Sequence, residues 1–286
     1  HPDADITVAC GAGVAEIFTA APKVTRVIPL QKKPFSGHWI YLWKKTAATA
    51  WDIVVDLRNG PVSRLIRARK KYIWNSKGEG HKVEQIAALV GASPPPGPTL
   101  WVDEKTALAA EKLIPAGNPV LGIGPAANWP AKTWASENFI ELIARLTSPG
   151  GVLPGARVAV FAAPNESGIA GRVLQGVPEE QRIDCIGKTT PLLAAGAIAR
   201  CVFYVGNDSG LMHAAAAMGV PTLGLFGPSY PALYRPWGER CAYASTPETF
   251  DELTSYKGYD PKTAPCLMTT LTVDAVQAAA EKLLRS

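Results

Sequence analysis

Short apolar runs alternate with amphipathic segments along the whole chain. The runs predict buried strands over residues 6–9, 24–30, 51–57, 72–74, 120–123, 157–161, 183–186, 202–205 and 222–226. Helical spacing of apolar residues between these runs predicts helices over 14–20, 61–68, 83–90, 136–146, 168–174, 192–199, 211–218 and 273–284. Alternation of strand and helix favours an α/β fold in which parallel sheets are covered on both faces.

Two proline-rich segments suggest where the chain divides. The stiff loop Ser93-Pro-Pro-Pro-Gly-Pro98 precedes a short helix, and Pro115-Ala-Gly-Asn-Pro119 follows it. We place the boundary near Pro115, which predicts a first domain over 1–115, a second over 116–272 and a C-terminal helix over 273–286. Two α/β domains imply a cleft between them, and ligands of such sheets bind at the carboxyl ends of strands.

Composition narrows the function classes. The chain has 286 residues, 47% hydrophobic and 19% charged, which argues against extensive disorder. Apolar runs are too short to span a membrane. The five cysteines form no CxxC pair, which argues against a zinc knuckle and against a disulfide scaffold. This cysteine usage favours a location in the reducing cytoplasm.

The formal net charge of +5 comes from the front of the chain. Residues 1–117 carry 16 Lys and Arg against 10 Asp and Glu. The densest basic run covers 64–71, and it fits either a solvated helix face or a surface for an anionic partner such as a phosphorylated glycolipid or a membrane. The nearby aromatic residues form no recognisable stacking motif, so we predict no nucleic-acid partner.

The segment Val205-Gly-Asn-Asp-Ser-Gly-Leu-Met-His213 is the strongest candidate for chemistry. A buried strand runs into small polar residues and then into an alanine-rich helix, so free N–H groups near Ser209 and Gly210 would face a ligand. A helix N-terminus of this kind binds phosphate. The competing interpretation is that Asp208 or Ser209 is an ordinary N-cap and that His213 only packs.

Two further segments follow predicted strands and would face the same cleft. Lys132 lies in the loop after residues 120–123 and offers a charge to a phosphate, or is simply a surface lysine. Glu166 follows the strand at 157–161 and could accept hydrogen bonds from ribose hydroxyls, or merely begin a helix.

Rival enzyme classes fit less well. Gly11-Ala-Gly-Val-Ala-Glu16 has a glutamate in place of the third glycine of a dinucleotide fingerprint, and the acidic residue expected further on is replaced by Gln31 and lysines. The stretch 206–210 lacks the GxSxG spacing of serine hydrolases. We therefore predict neither a dehydrogenase nor a serine hydrolase.

At these motifs the sequence resembles glycosyltransferase family 9, the ADP-heptose:lipopolysaccharide heptosyltransferases. The resemblance rests on the segments 124–134, 206–213 and 219–228, and less specifically on Trp51-Asp-Ile-Val-Val-Asp-Leu-Arg58. It runs over nearly the whole chain. It implies a GT-B fold of two Rossmann-like domains, in which the second holds a nucleotide sugar, the first holds the acceptor, and the C-terminal helix packs back toward the first.

The resemblance also assigns roles to residues. Lys132 would contact the donor diphosphate, and Asp208 would take sugar hydroxyls while capping the helix; these two are the catalytic candidates. The residues expected to bind substrate are Ala126, Ala127, Asn128, Glu166, Thr189, Asn207, Ser209, Gly210 and His213. Arg58 and Arg64 are expected on the acceptor side. Where family members have hydroxyl residues, this chain has Ala126 and Ala127, so phosphate contacts there would come from the backbone.

The general base is expected to be an aspartate upstream of His1, in a segment that family members place before such a start. The resemblance then implies inverting transfer of a heptose from ADP-heptose to the inner core of lipopolysaccharide. We expect no cofactor and no metal, with a nucleotide-sugar donor, a phosphorylated glycolipid acceptor and a cytoplasmic location compatible with peripheral contact with an anionic membrane. The alternative from a different class is a non-catalytic two-lobed protein that binds a small molecule or nucleotide sugar.

Overall fold

A computed structural model describes residues 1, 3–75, 79–261 and 263–285, and the chain divides into two units, His1–Gly97 and Pro98–Ser286. The strands of the first unit are β1 (Ile6–Gly11), β2 (Val24–Leu30), β3 (Trp51–Asp56) and β4 (Ala68–Ile73). Its helices are α1 (Gly37–Thr46), α2 (Val62–Leu65) and α3 (Lys82–Val90). β1 pairs with β2 and β3 with β4, both in parallel, as two separate two-stranded sheets.

The first unit has a small core. Ile28 of β2, Leu42 of α1, and Val62 and Ile66 around α2 form one buried cluster. Half-buried aromatic residues such as Trp51 pack against it. Both sheets therefore contribute to a single hydrophobic centre.

The second unit is built on a six-stranded parallel sheet. Its strands are β5 (Val120–Gly124), β6 (Arg157–Ala162), β7 (Arg182–Ile186), β8 (Phe203–Asn207), β9 (Thr222–Phe226) and β10 (Cys241–Ser245). Its helices are α4 (Glu104–Leu113), α5 (Ser136–Thr147), α6 (Ser167–Gln175), α7 (Pro191–Ile198), α8 (Gly210–Ala217), α9 (Pro231–Tyr234), α10 (Phe250–Thr254) and α11 (Val273–Arg285). The strand order is β10-β9-β8-β5-β6-β7.

The central strands are buried on both faces, as continuous apolar runs in a parallel sheet require. Every residue of β5, β8 and β9 is buried. One hydrophobic cluster, which includes Phe139 of α5 and Val276 of α11, lies on one side of the sheet. A second cluster, which includes Ile114 and Ile198, lies on the other. The predicted α/β class is thereby confirmed.

The chain divides earlier than the sequence suggested. The expected boundary near Pro115 would leave α4 in the first domain, but Ala110 and Ile114 are buried in a core of the second unit. The proline-rich loop that ends at Pro98 marks the division instead. The C-terminal helix α11 belongs to the second unit, where Val276 and Ala280 lie in the core, and its expected packing toward the first domain stays a prediction.

Several elements of the first unit differ from the sequence prediction. Residues 12–18 form a 3-10 helix, and α1 was not predicted. The basic run does not form a helix face: α2 ends at Leu65, and the run continues along β4, with Arg69 paired to Asp52 at 3.3 Å. In the second unit, β10, α9 and α10 were not predicted because their sequences are short and mixed in polarity.

Candidate active site

The candidate site lies where the strand order of the second sheet reverses. From β5 the chain moves to β6 and β7 on one side, and it then returns to β8 on the other side of β5. Helices that follow strands on either side of such a point diverge and leave a crevice at the carboxyl ends. Lys132 follows β5 and Asp208 follows β8, so the two strongest candidates flank this crevice.

Lys132 and Asp208 form a buried ion pair. Lys132 Nζ lies 3.0 Å from Asp208 Oδ2, and only 11% and 10% of the two side chains is exposed. The ammonium group also lies 5.2 Å from the ring centroid of Trp129, within range of a cation–π interaction. Lys132 is therefore not a plain surface lysine. The Asp208 carboxylate and the Trp129 ring hold its ammonium group beside the crevice.

Asn207 fixes the loops that carry this pair. Its side-chain amide donates to the carbonyl of Pro125 at 2.8 Å and accepts from the backbone N–H of Trp134 at 3.2 Å. Trp134 is fully buried and donates its indole N–H to the Leu271 carbonyl. The loop after β5 is thus tied to the end of β8, which sets the position of Lys132. Asn207 is therefore a structural bridge, and its expected role in binding substrate stays a prediction.

The N-terminus of α8 is open on its outer side. Ser209 occupies the N-cap position, but its side chain makes no capping hydrogen bond, and the Asp208 carboxylate is engaged by Lys132. The expectation that Asp208 caps this helix is therefore wrong. A Cβ built on Gly210 would meet nothing within 4 Å. The first-turn N–H groups of a helix have no intrahelical partner, so this open end can receive an anion.

His213 lies one turn into α8 and faces the same carboxylate. Its Nε2 is 3.8 Å from Asp208 Oδ1, and 47% of its side chain is exposed. Protonation would add a second positive charge beside Asp208. His213 is thus partly exposed beside the carboxylate, and its expected role in binding substrate stays a prediction.

Tyr204 lies under the site and was missed by the sequence analysis. It is fully buried on β8, and burial raises the pKa of its hydroxyl well above the ordinary value. A Cβ at Gly124 would lie 1.9 Å from that hydroxyl, and one at Gly206 would lie 2.8 Å from it. Gly124 and Gly206 are paired in register. Because neither glycine carries a Cβ, the pair leaves the space that the Tyr204 ring occupies.

The other expected substrate residues lie in the loops that follow β5 and β6. Ala126 is buried, Ala127 is half-buried and Asn128 is exposed in the loop after β5. Glu166 accepts a hydrogen bond from the Ala163 N–H at 2.8 Å, as the helix-start interpretation requires. It lines an open pocket of about 360 Å³ with Asn165, Gly168, Ile169 and Arg172, and its charge acts on the Tyr204 hydroxyl.

Thr189 lies farther out. It follows β7, which is three positions from β8, or roughly 14 Å at the usual strand spacing. The neighbouring Thr190 is the residue that caps α7, where its hydroxyl accepts from the Leu193 N–H. The structure does not bring Thr189 to the Lys132–Asp208 pair.

The two arginines expected to meet the acceptor belong to the first unit: Arg58 lies in the loop after β3, and Arg64 lies on α2. Asp56 organises this loop by accepting hydrogen bonds from the Arg58 and Gly60 N–H groups, each at 2.8 Å, and from Ser63 Oγ at 2.6 Å. Arg64 donates to the Gly60 carbonyl at 3.2 Å. Both arginines are exposed, and their role in acceptor binding stays a prediction.

Neither a metal-ligating cluster nor a membrane-spanning helix is found among the residues that the structure describes. These residues hold no group of three or more His, Cys, Asp or Glu that could ligate a metal. None of the helices in that same part of the chain is long and apolar enough to cross a bilayer. The expectations of no metal and no cofactor stay predictions.

The region around this site matches the model of a known protein family. The model for glycosyltransferase family 9 (heptosyltransferase) matches residues 77–259. Lipooligosaccharide heptosyltransferase 2 of Haemophilus influenzae is 34% identical over 142 residues, which span 48% of this chain and 38% of that protein. The chain thus matches about two fifths of the length of this curated relative.

Solved structures resemble the chain over nearly its whole length. A family 9 glycosyl transferase from Veillonella parvula has a TM-score of 0.80 at 19% identity, covering 98% of this chain and 88% of its own. Escherichia coli heptosyltransferase WaaC with ADP has a TM-score of 0.68 at 22% identity, covering 96% and 89%. These likenesses confirm the predicted GT-B fold class.

Proposed function

This chain belongs to glycosyltransferase family 9, and we propose from that premise that it transfers a heptose from ADP-heptose to the inner core of lipopolysaccharide, with inversion at the anomeric carbon. The observation that carries the proposal is the buried Lys132–Asp208 pair beside the open N-terminus of α8. Relatives in the family are named as heptosyltransferases, and a solved structural neighbour holds ADP.

The chemistry of the leaving group explains why this arrangement suits the reaction. Departure of ADP places negative charge on the diphosphate, and preorganised positive charge stabilises that charge most in a site from which water is partly excluded. The Lys132 ammonium and the first-turn N–H groups of α8 supply this positive charge from two directions. Because Asn207 ties both loops together, the cation is in place before the substrate binds.

Asp208 takes a different part in the proposal. A carboxylate repels phosphate, so it holds Lys132 in position through one oxygen, 3.0 Å away, and offers the other to sugar hydroxyls. His213 faces that second oxygen at 3.8 Å and would share the contact with the sugar. Glu166 keeps one carboxylate oxygen on the Ala163 N–H, which leaves its other oxygen for the ribose.

The partners follow from the reaction. The donor is a nucleotide sugar, and the acceptor is a phosphorylated glycolipid whose charge complements the excess Lys and Arg of residues 1–117. Arg58 and Arg64 are the side chains proposed to meet it. The enzyme would act in the cytoplasm at the inner face of the membrane, without a metal or a resident cofactor.

The test measures binding and turnover separately, so that donor binding without transfer is recognised. Calorimetric titration with ADP measures binding to the chain, and release of ADP from ADP-heptose in the presence of a Kdo-lipid A acceptor measures transfer. Acceptor-dependent ADP release supports the proposal. Donor binding with no release of ADP on addition of acceptor would favour the nucleotide-sugar binding protein instead.

A further inference from the structure

Two hydroxyl groups near the N-terminus of α8 are buried without a hydrogen-bond partner. They belong to Tyr204 on β8 and to Ser209, the N-cap residue of the helix. Neither oxygen is exposed to solvent, and neither pairs with any group in the part of the chain that the structure describes. Because a buried hydroxyl without a hydrogen bond destabilises the fold, packing alone does not explain why both are present.

The Tyr204 side chain extends along the sheet toward this end of the helix. Tyr204 shares a core cluster with Met212 and Ala215 of α8, so its ring lies on the side of the sheet that this helix covers. A Cβ added at Gly124 or Gly206 would come within 1.9 or 2.8 Å of the Tyr204 hydroxyl. Gly124 ends β5, and Gly206 lies two residues beyond Tyr204 on β8. The hydroxyl therefore points toward the carboxyl ends of the strands, where the candidate site lies.

The Tyr204 hydroxyl is a neutral hydrogen-bond donor. Burial raises its pKa well above the ordinary value, and the negative charge of Glu166 raises it further, so the group keeps its proton. The Ser209 side chain is near enough to oppose this rise, although the two hydroxyls do not have hydrogen-bonding geometry as they stand. Rotation of the Ser209 side chain would bring its oxygen to the phenol.

We propose that Tyr204 is a positioning residue for the donor diphosphate and that it acts through Ser209. A phosphate oxygen accepts hydrogen bonds, so the Ser209 hydroxyl donates its single proton to the diphosphate at the open end of α8. The Ser209 oxygen then keeps lone pairs that accept the proton of Tyr204, and this contact orients the serine. Both buried hydroxyls are thus satisfied when the phosphate is bound. The inference rests on the proposed function, because it assigns the hydroxyl pair to ADP-heptose.

Stability separates this role from a structural one. A hydroxyl that stabilised the ligand-free fold would lower the melting temperature when removed, whereas loss of an unpaired hydroxyl relieves a desolvation cost. We therefore expect Tyr204→Phe without ligand to melt at the same temperature as the unaltered chain or higher, while it binds ADP more weakly. A residue that lowers stability and improves binding is typical of a functional position.

The binding test is isothermal titration with ADP and with adenosine. Ser209→Ala should weaken ADP binding roughly tenfold, because a hydrogen bond to a charged group is lost, and Tyr204→Phe should weaken it about fivefold, because only the orientation of the serine is lost. The double variant should bind ADP no more weakly than Ser209→Ala, since Tyr204 acts through the serine. Adenosine carries no phosphate and should bind every variant equally well.

Tyr259→Phe is the matched control. Its hydroxyl is also buried without a partner among the described residues, but it follows α10 instead of lying on β8. The control should leave the ADP affinity unchanged. A lower melting temperature of Tyr204→Phe, an equal loss of adenosine binding, an equal effect of Tyr259→Phe or a further loss in the double variant would overturn the inference.

The same titrations distinguish failure of this inference from failure of the proposed function. If the unaltered chain did not bind ADP, the proposed function and the role of Tyr204 would both fall. If the unaltered chain bound ADP and Tyr204→Phe bound it equally well, only the role of Tyr204 would be refuted.

Discussion

Replacing Asp208 with Asn removes the carboxylate 3.0 Å from Lys132 Nζ and should make ADP bind more tightly. The carboxylate competes with a diphosphate for the same ammonium and repels it. Two unit charges 4 Å apart interact by about 4 kcal/mol in a medium of effective dielectric constant near 20, and phosphates bound beyond the ammonium lie farther away. We therefore expect a gain of about 1 kcal/mol, or roughly fivefold in affinity.

Removing the cation of the pair should change the affinity for ADP in the opposite direction. Lys132→Met removes a charge-assisted contact to phosphate, which is worth about 1.5–3 kcal/mol, so ADP should bind roughly tenfold to more than a hundredfold more weakly. The double variant should not equal the sum of the single effects, because the two residues form one pair. Lys282→Met on α11 is the control for loss of a lysine at an exposed position of the same unit.

Isothermal titration with ADP rather than ADP-heptose is the appropriate assay, because the sugar contacts proposed for Asp208 then do not enter. Breaking a buried ion pair can cost about 3 kcal/mol of stability, so thermal melting of each variant must show that it is folded at the titration temperature. If Asp208→Asn weakened ADP as much as Lys132→Met, the carboxylate would support the nucleotide instead of competing with it, and the electrostatic reasoning would be refuted.

Two further predictions concern the frame of the site, and a third concerns the core of the second unit. Gly124→Ala should lower the melting temperature, because the added Cβ would lie 1.9 Å from the Tyr204 hydroxyl. Adding Tyr204→Phe to the same chain should restore part of the loss. A double variant that melts no higher than Gly124→Ala would contradict this explanation. Asn207→Ala leaves a buried carbonyl and N–H unpaired and should cost about 2–4 kcal/mol in urea denaturation, whereas a change below the error of the method would show that Asn207 is not the bridge. Burial raises the pKa of the Cys185 thiol from 9.0 to about 12. The stabilising contribution of the buried thiol is therefore complete below pH 9 and is lost as the pH rises toward 12. Over that interval the free energy of unfolding of Cys185→Ala should fall less steeply with pH than that of the unaltered chain.

The second unit was more predictable from sequence than the first, for a physical reason. Strands such as β8 and β9 are buried on both faces, so they are continuous apolar runs that stand out between polar loops. In the first unit, β4 carries exposed Lys70 and Lys71 beside half-buried Tyr72, and α1 is rich in aromatic residues. Their patterns resemble neither a buried strand nor a typical surface helix, and they were misassigned or missed.

The site shows the same division between local and long-range information. The open end of α8 follows from the local sequence at Ser209 and Gly210, and it was predicted. The ion pair joins residues 76 positions apart, and the sequence does not show which cation faces Asp208. Tyr204 was missed because its role depends on strands β5 and β8 being neighbours in register, which only the folded sheet establishes.

The most direct measurement is a crystal structure of this chain with ADP. The account predicts that the diphosphate lies at the N-terminus of α8, within hydrogen-bond distance of Lys132 Nζ and of backbone N–H groups of Ser209 or Gly210. A diphosphate bound at another edge of the sheet, with the Lys132–Asp208 pair undisturbed and out of reach, would contradict it.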